Sequence, residues 1–178
     1  MINSVIKYGG FYIGRYETSV NGETVASTTG TVDTNTRPMA DVTWYELYTK
    51  QKAFSSDNSL TAVQSSMVWG SQYDAMLNWA LNGDDAAKVT EKTNASHSLE
   101  ELYGPGTITV EGKTDKINNI YDLEGNVRDW TLEVDRYDCR VPRGGSFVND
   151  DSPSIRSIMF EQDYGYTNCG SRATLYLS

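Results

Sequence analysis

Two stretches of the chain carry apolar residues at the spacing of amphipathic helices. In the first, Trp44-Tyr45-Glu46-Leu47-Tyr48 places its first, fourth and fifth residues on one face, and the helix is expected to run to Phe54. Either Asp41 or Thr43 can cap its start, because a short polar side chain can accept a hydrogen bond from a free N–H of the first turn.

The second helix is expected over residues 71–82. Ser71 is the candidate N-cap, and Asp74 follows three residues later, which is close to a capping box. Asn82-Gly83 supplies the stop. The apolar residues that repeat at helical spacing are Met76, Trp79 and Ala80.

The remaining sequence predicts short strands separated by loops. Residues 9–17 and 107–110 alternate apolar and polar positions, as strands do, whereas 19–37 and 83–105 are polar and without a period. From Ile117 onward, short strands alternate with loops rich in Gly and Asp. The pattern predicts an α+β fold with two helices, in a single domain over 1–178.

Composition narrows the possible partners. The net charge of −9 argues against nucleic acid, since affinity for phosphates depends on Lys and Arg. No apolar run approaches the roughly 20 residues that cross a bilayer, and residues 1–7 lack the features of a secretory signal, so no membrane insertion is expected. The two cysteines, Cys139 and Cys169, are compatible with one bridge or with two free thiols.

Three blocks of sequence are more particular than this general pattern. They are Asn118–Trp130, Arg143–Phe147 and Gly170–Arg172. Within the first block, Gly125-Asn126 permits a tight turn with positive φ, and three apolar residues are expected to anchor the core: Leu123, Val127 and Trp130.

Together with Thr43-Trp44 and Met67–Tyr73, these blocks resemble the formylglycine-generating-enzyme family, a branch of the C-type lectin fold. The resemblance extends over nearly the whole chain from Gly9 to Leu177. It implies a C-type lectin fold with two helices, short antiparallel strands and much irregular structure.

The resemblance also implies a calcium site in the first block. Carried over by position, Asp122 and Asp129 would supply carboxylates, and Gly125 and Val127 would supply backbone carbonyls, as a hard cation requires. The alternative is that Asp122 caps the turn and Asp129 pairs with an arginine such as Arg143. The chain departs from the family at Arg128, where Trp is usual.

The chemistry of the family's enzymes is not expected here. Its copper enzymes need two nearby thiolates, but Phe147–Ser154 contains no cysteine, and Asn149 and Ser154 lie where the thiolates would be needed. The related iron enzymes need two or three histidines, whereas this chain has only His97, which is expected in a polar surface loop. We therefore predict a protein that is not an enzyme; an enzyme with a relocated active site is the alternative.

Residues 147–169 combine Tyr, Ser, Asn and Asp with a few apolar residues, a mixture typical of binding loops. Two of the apolar residues, Ile155 and Ile158, are expected to pin the segment to the core. The arrangement resembles the variable proteins of diversity-generating retroelements and the receptor-binding domains of phage tails. On that resemblance, 143–178 is the variable ligand-binding segment and its scaffold is Arg143, Gly144, Gly145, Ser146, Arg156 and Arg172.

The same resemblance implies a protein or glycan receptor on a target cell as partner, and a place on a virion surface or cell exterior, either alone or as part of a larger assembly. The alternative is an ordinary polar loop with Met159 and Phe160 buried. The expected contact residues are Phe147, Asn149, Asp150, Ser152, Ser154, Ser157, Met159, Glu161, Asp163, Tyr164, Tyr166 and Asn168.

Overall fold

The structure is a computed structural model that describes residues 1–21, 24–27, 38–90, 116–149 and 151–178. These ranges form a mixed α+β fold. Its helices are α1 (Ile2–Tyr8), α2 (Trp44–Asp57), α3 (Gly70–Ala80) and a 3-10 turn (Ala86–Val89). Its strands are β1 (Tyr12–Ile13), β2 (Thr18–Asn21), β3 (Thr24–Ser27), β4 (Val63–Met67), β5 (Lys116–Ile117), β6 (Ile120–Tyr121), β7 (Arg128–Val134), β8 (Arg140–Arg143), β9 (Cys169–Gly170) and β10 (Ala173–Leu177).

Helix α2 confirms the first predicted helix and extends it to Asp57. Thr43 is its N-cap. The Thr43 hydroxyl accepts a hydrogen bond from the Glu46 N–H at 3.3 Å, and the Glu46 carboxylate accepts one from the Thr43 N–H at 2.8 Å. Of the two candidate caps, Asp41 has a different role: it adopts a positive φ of 59° and its N–H donates to the Tyr166 carbonyl.

Helix α3 confirms the second predicted helix, but the prediction of its cap was wrong. The helix begins at Gly70, and Trp69, not Ser71, occupies the N-cap position. The Gln72 side chain accepts a hydrogen bond from the Trp69 N–H at 3.0 Å, so the residue three positions after the cap satisfies this donor. Met76 and Ala80 are buried as expected, whereas Trp79 is 55% exposed.

The expectation of two helices was wrong because α1 is a third. Its only buried residue is Ser4, while Ile2 and Ile6 are 69% and 78% exposed. A short helix that buries so little apolar surface leaves no stripe in the sequence, and such a stripe is the main sign by which a helix is recognised. It ends at Gly9, whose φ of 82° is readily available only to glycine.

Two three-stranded sheets organise the fold. In the first, β10 lies between β1 and β4 and pairs with both in the antiparallel sense. Of the strand expected over residues 9–17, only Tyr12–Ile13 pairs in this sheet. In the second sheet, β7 lies between β8 and β9, and its pairing with β9 is parallel, which corrects the expectation of antiparallel strands alone.

The core forms two clusters on which these elements converge. One gathers the inner face of α3, the 3-10 turn and the β5–β6 hairpin, and includes Leu123; the other joins Trp44 and Leu47 of α2 to Trp130 of β7. The three expected anchors are confirmed, since Leu123, Val127 and Trp130 are at most 5% exposed. The expected turn is confirmed at Asn126, which has a φ of 56°.

Three predictions fall outside the described residues: the strand over 107–110, the loop position of His97, and the contact role of Asp150. Within the described ranges, no helix combines the length and the apolar character needed to span a membrane.

Candidate binding surface

Two arginines and two carboxylates fasten the beginning of the C-terminal segment to the fold. Arg143 of β8, 1% exposed, contacts Asp74 of α3 at 2.9 Å and Glu133 of β7 at 3.3 Å. Arg156, in the segment, contacts the other oxygens of the same carboxylates, at 2.5 Å and 2.9 Å. Each carboxylate therefore bridges two guanidinium groups. Asp74 thus pairs with two arginines and takes no part in the cap of α3, which lies at Trp69. The arrangement agrees with a scaffold role for Arg143 and Arg156.

Gly145 lets the segment pass close to the core. A Cβ atom built there would collide with the backbone carbonyl oxygens of Glu124 and Asp151. Its neighbour Gly144 has a φ of 77°, a conformation that side chains other than glycine rarely adopt. Steric crowding therefore explains the glycines of the Arg-Gly-Gly-Ser block, because only glycine allows three stretches of backbone to meet here.

Arg128, which stands where the family that the sequence resembles usually has Trp, holds another part of the segment. Its side chain is 5% exposed and its guanidinium donates to Asn149 Oδ1 at 3.1 Å and to Asp151 Oδ2 at 2.5 Å. The same group lies 5.6 Å from the centre of the Phe160 ring. One buried cation thus fixes two separate points along the segment.

A series of aromatic rings connects the core to the surface of the segment. Trp130 is fully buried, and the Tyr166 ring packs edge-on against it with 5.9 Å between centroids. Tyr164 packs on Tyr166 at 4.8 Å and is 60% exposed, while Phe160 contacts both Trp130 and Tyr166. Tyr164 therefore presents an aromatic face to solvent from a well-supported position.

Met159 is the most exposed apolar residue of the segment. It has a φ of 64°, its N–H donates to Asp135 Oδ2 at 2.9 Å, and its side chain is 62% exposed. Asp135 also accepts hydrogen bonds from the N–H groups of Tyr137 and Cys139 in the β7–β8 loop. These three hydrogen bonds lower the pKa of Asp135, and the bond from the Met159 N–H has the largest effect. A single carboxylate thus joins this turn to the neighbouring loop.

The expected contact residues do not all reach solvent. Asn149, Met159, Glu161, Asp163 and Tyr164 are exposed, and Ser154, Ser157, Tyr166 and Asn168 are half-buried. Phe147 and Ser152 are buried, so these two side chains face the interior. The expectation that Ile158 pins the segment was wrong, because it is 50% exposed; Ile155 is half-buried and its carbonyl accepts hydrogen bonds from Gly144 and Arg143.

Sequence reasoning also missed Tyr137 as a surface residue, 50% exposed in the β7–β8 loop. Its position could have been inferred from the Asp135-Arg136-Tyr137-Asp138 run, which is a turn between two strands. The alternative of an ordinary loop with Met159 and Phe160 buried is wrong for Met159, and Phe160 is half-buried.

Beneath the segment, Arg172 occupies a pocket of oxygen atoms. Its side chain is completely buried, and its Nε donates to Asp129 Oδ2 at 2.6 Å. Its two terminal nitrogens donate to the backbone carbonyls of Gly14, Arg15, Tyr121 and Asp122 at 3.0–3.5 Å. The guanidinium is therefore the cation around which the first motif block is arranged.

Buried carboxylates lie near this arginine: Asp129, Glu17 and, beside Glu17, Asp122. Glu17 is completely buried, accepts a hydrogen bond from the Val127 N–H, and is also bonded by the Asn126 side chain. Burial, together with repulsion from Asp122 and Asp129, raises the pKa of Glu17 well above its usual value. Burial likewise raises the pKa of Asp129, although Arg172 opposes the shift.

These contacts bear on the expected calcium site at Asp122, Gly125, Val127 and Asp129. Arg172 already binds one Asp129 oxygen and the carbonyl of Asp122, so a calcium ion there would compete with a buried positive charge for the same oxygens. Asp129 pairs with Arg172, and Arg143 has other partners. Among the described residues, no three His, Cys, Asp or Glu side chains form a group suited to a metal. The geometry fits a guanidinium better than calcium.

Cys139 and Cys169 are both free. Burial raises the pKa of Cys169 to about 12, so this thiol stays protonated at neutral pH and is a poor nucleophile. The two positions where a copper enzyme would need thiolates hold neutral polar groups: Asn149 accepts from Arg128, and the Ser154 hydroxyl lies 3.0 Å from that of Ser152.

Comparison with solved structures finds chains of similar fold. Treponema denticola variable protein 1 superimposes with a TM-score of 0.56 at 15% identity, covering 92% of this chain and 84% of that one. CarF gives 0.55 at 14%, covering 80% and 69%, and PvdO from Pseudomonas aeruginosa gives 0.49 at 13%, covering 99% and 76%. At such identities the likeness shows the fold alone. No protein-family model and no curated protein matches the sequence.

Proposed function

We propose that this protein is a non-catalytic ligand-binding domain of C-type lectin fold whose C-terminal segment contacts a protein or glycan receptor. One observation carries the proposal: Ile158, Met159 and Tyr164 are each at least half exposed, yet they belong to a segment that buried arginines and aromatic rings fasten to the fold. Exposed apolar side chains on a rigid support are the usual composition of a binding surface.

The fixed backbone has an energetic consequence for binding. A loop that orders only when it meets its ligand loses conformational freedom at that moment, which lowers the affinity. Here the ion pairs of Arg143 and Arg156 and the hydrogen bonds of Arg128 already hold the segment. Most of the ordering cost is therefore met during folding, and side chains at the surface can change without re-forming the support.

The exposed residues form a surface of mixed character. Tyr164 supplies aromatic contact area that loses little freedom on binding, and Met159 supplies a flexible apolar side chain that adapts to different shapes. Glu161 and Asp163 are exposed between them and add negative charge. Such a surface suits a receptor that offers apolar area bordered by hydrogen-bond donors.

The shared fold with Treponema denticola variable protein 1 supports this function, since that protein is itself named as variable. On this basis we propose that 143–178 is the variable ligand-binding segment and that its diversified positions lie within 147–169. A virion surface or a cell exterior would suit such a protein. An enzyme with a relocated active site is the competing function, and stoichiometric copper or iron in the purified protein would favour it.

The diversification can be tested by sequencing the coding region in independent isolates of the source organism. If the proposal is correct, substitutions will concentrate at the exposed and half-buried positions of 147–169 and will spare Arg143, Arg156 and Arg172. A reverse transcriptase gene nearby, with a template repeat of the C-terminal coding segment, would add support. Identical sequences in all isolates, or substitutions spread evenly over the chain, would refute it.

A further inference from the structure

A cavity of about 530 Å³ opens between β1, α3 and the β5–β6 hairpin. Its volume falls within the range of roughly 300–1,000 Å³ that is typical of small-molecule sites. No described residue of the segment 147–169 lines it, so the cavity is separate from the surface proposed above. Its walls are mainly apolar and include Phe11, Tyr12, Met76 and Trp79.

Two of the three aromatic residues of the wall, Tyr12 and Trp79, remain largely outside the core. Trp79 is 55% exposed and Tyr12 is 63% exposed, whereas the buried face of α3 is formed by Met76, Leu77 and Ala80. Large aromatic side chains that remain open to solvent beside a concave apolar surface provide flat faces against which a planar molecule can stack.

Arg15 gives the cavity its charge. Among the described residues that line the cavity, it is the only charged one, and it forms no ion pair with any other described residue. Its backbone is fixed, because its carbonyl accepts a hydrogen bond from the Tyr121 N–H at 2.9 Å. An arginine that lines an apolar cavity and pairs with no carboxylate in the described part of the chain favours a ligand with one planar anionic group, which a guanidinium can bind through two parallel hydrogen bonds.

We propose that this cavity binds an aromatic carboxylate. The ring of the ligand lies against Trp79 and Tyr12, and its carboxylate pairs with Arg15. The site does not depend on the binding surface of the C-terminal segment, so either proposal can fail without the other.

The test uses 2-naphthoate and its neutral counterpart 2-naphthamide, titrated calorimetrically into the full chain. The wild-type protein should bind 2-naphthoate roughly tenfold more tightly than the amide, since hydrogen bonds between charged groups are stronger than neutral ones. Arg15→Gln should abolish this preference while still binding the amide. Trp79→Ala should weaken the binding of both compounds.

Two matched variants control for general effects of the substitutions. Arg136→Gln changes an exposed arginine outside the cavity, and Trp69→Ala changes a tryptophan that is 43% exposed outside it. Both should leave the two affinities unchanged. The proposal is overturned if 2-naphthoate does not bind at millimolar concentration, or if folded Arg15→Gln keeps the preference for the anion. Circular dichroism establishes whether each variant is folded. If Trp79→Ala does not fold, the comparison of Arg15→Gln with the wild type decides the outcome, because Arg15 is exposed.

Discussion

Asp129 and Arg172 form a buried ion pair between the first and third motif blocks, with 2.6 Å between Asp129 Oδ2 and Arg172 Nε. Neither side chain is more than 1% exposed. The pair links β7 to the residue just before β10, and so connects the two three-stranded sheets. Because Arg172 also binds four backbone carbonyls, its contribution exceeds that of an isolated pair.

Removing this arginine should destabilise the protein severely. Arg172→Met leaves Asp129 buried without a counter-charge, and breaking a buried pair in this way typically costs about 3–5 kcal/mol. Urea unfolding followed by circular dichroism measures the change in free energy. Arg136→Met, on the surface, should shift it by no more than about 0.5 kcal/mol. Equal effects of the two variants would contradict the role assigned to Arg172.

Chelation of metal ions should leave the protein unchanged. Since Arg172 already supplies a positive charge to the oxygens of Asp122 and Asp129, we expect the fold to form without calcium there. We expect the same Tm with excess calcium as with EDTA, measured by differential scanning calorimetry. An increase of several degrees with calcium would instead support the site at Asp122, Gly125, Val127 and Asp129.

Glu17 should make stability depend on pH in a direction opposite to that of most carboxylates. Its pKa is raised in the folded protein above the usual 4.5, so the folded state holds the proton more tightly than the unfolded state. Its contribution is complete below pH 4.5 and is lost as the pH rises through the raised pKa.

This dependence can be isolated with Glu17→Gln, which stays neutral. The stability of the wild type relative to this variant should fall as the pH is raised from 4.5 through the raised pKa of Glu17. Parallel curves of Tm against pH for the two proteins would contradict a raised pKa. Because Asp129 repels the charged form of Glu17, the two carboxylates titrate as a pair, and the difference between the curves includes the change in Asp129.

Gly145→Ala should lower the stability of the fold strongly, although the substitution adds only one methyl group. The added Cβ would overlap the carbonyl oxygens of Glu124 and Asp151, so the backbone itself would have to move, at a cost of about 3 kcal/mol. Gly10→Ala is the matched control, because a Cβ there meets nothing within 4 Å. Thermal unfolding compares the two, and a tolerated alanine at 145 would disprove the close approach.

Tyr164→Ala should remove most binding at the C-terminal surface without loss of stability. Aromatic residues at the centre of an interface often contribute 2 kcal/mol or more, so affinity should fall roughly thirtyfold. The probe is a set of peptides selected on the wild-type protein from a random display library. Tyr45→Ala, on α2 and 46% exposed, is the control. The proposed surface would be contradicted if the peptides lost affinity equally for both variants, or if they lost affinity for neither.

Much of the fold is present in the sequence, because the apolar spacing of α2 and α3 and the turn at Asn126 are local features. The strand β4 was not predicted, since Val63-Gln64-Ser65-Ser66-Met67 carries buried serines that no hydrophobic pattern marks. The partners of the arginines could not be predicted either. Arg172 meets Asp129 across 43 residues, and Arg156 meets Asp74 across 82, distances at which sequence alone indicates charge but not pairing.

The position of β10 has a consequence for how the protein tolerates change. The chain must pass through the entire segment 147–169 before it can supply the strand that joins β1 to β4. A stop codon or a frameshift within the coding region for this segment therefore yields a chain without its central strand, β10. Under the proposed function, folding therefore acts as a check on reading frame: substitutions within 147–169 leave β10 in place, whereas frameshifts and stop codons remove it.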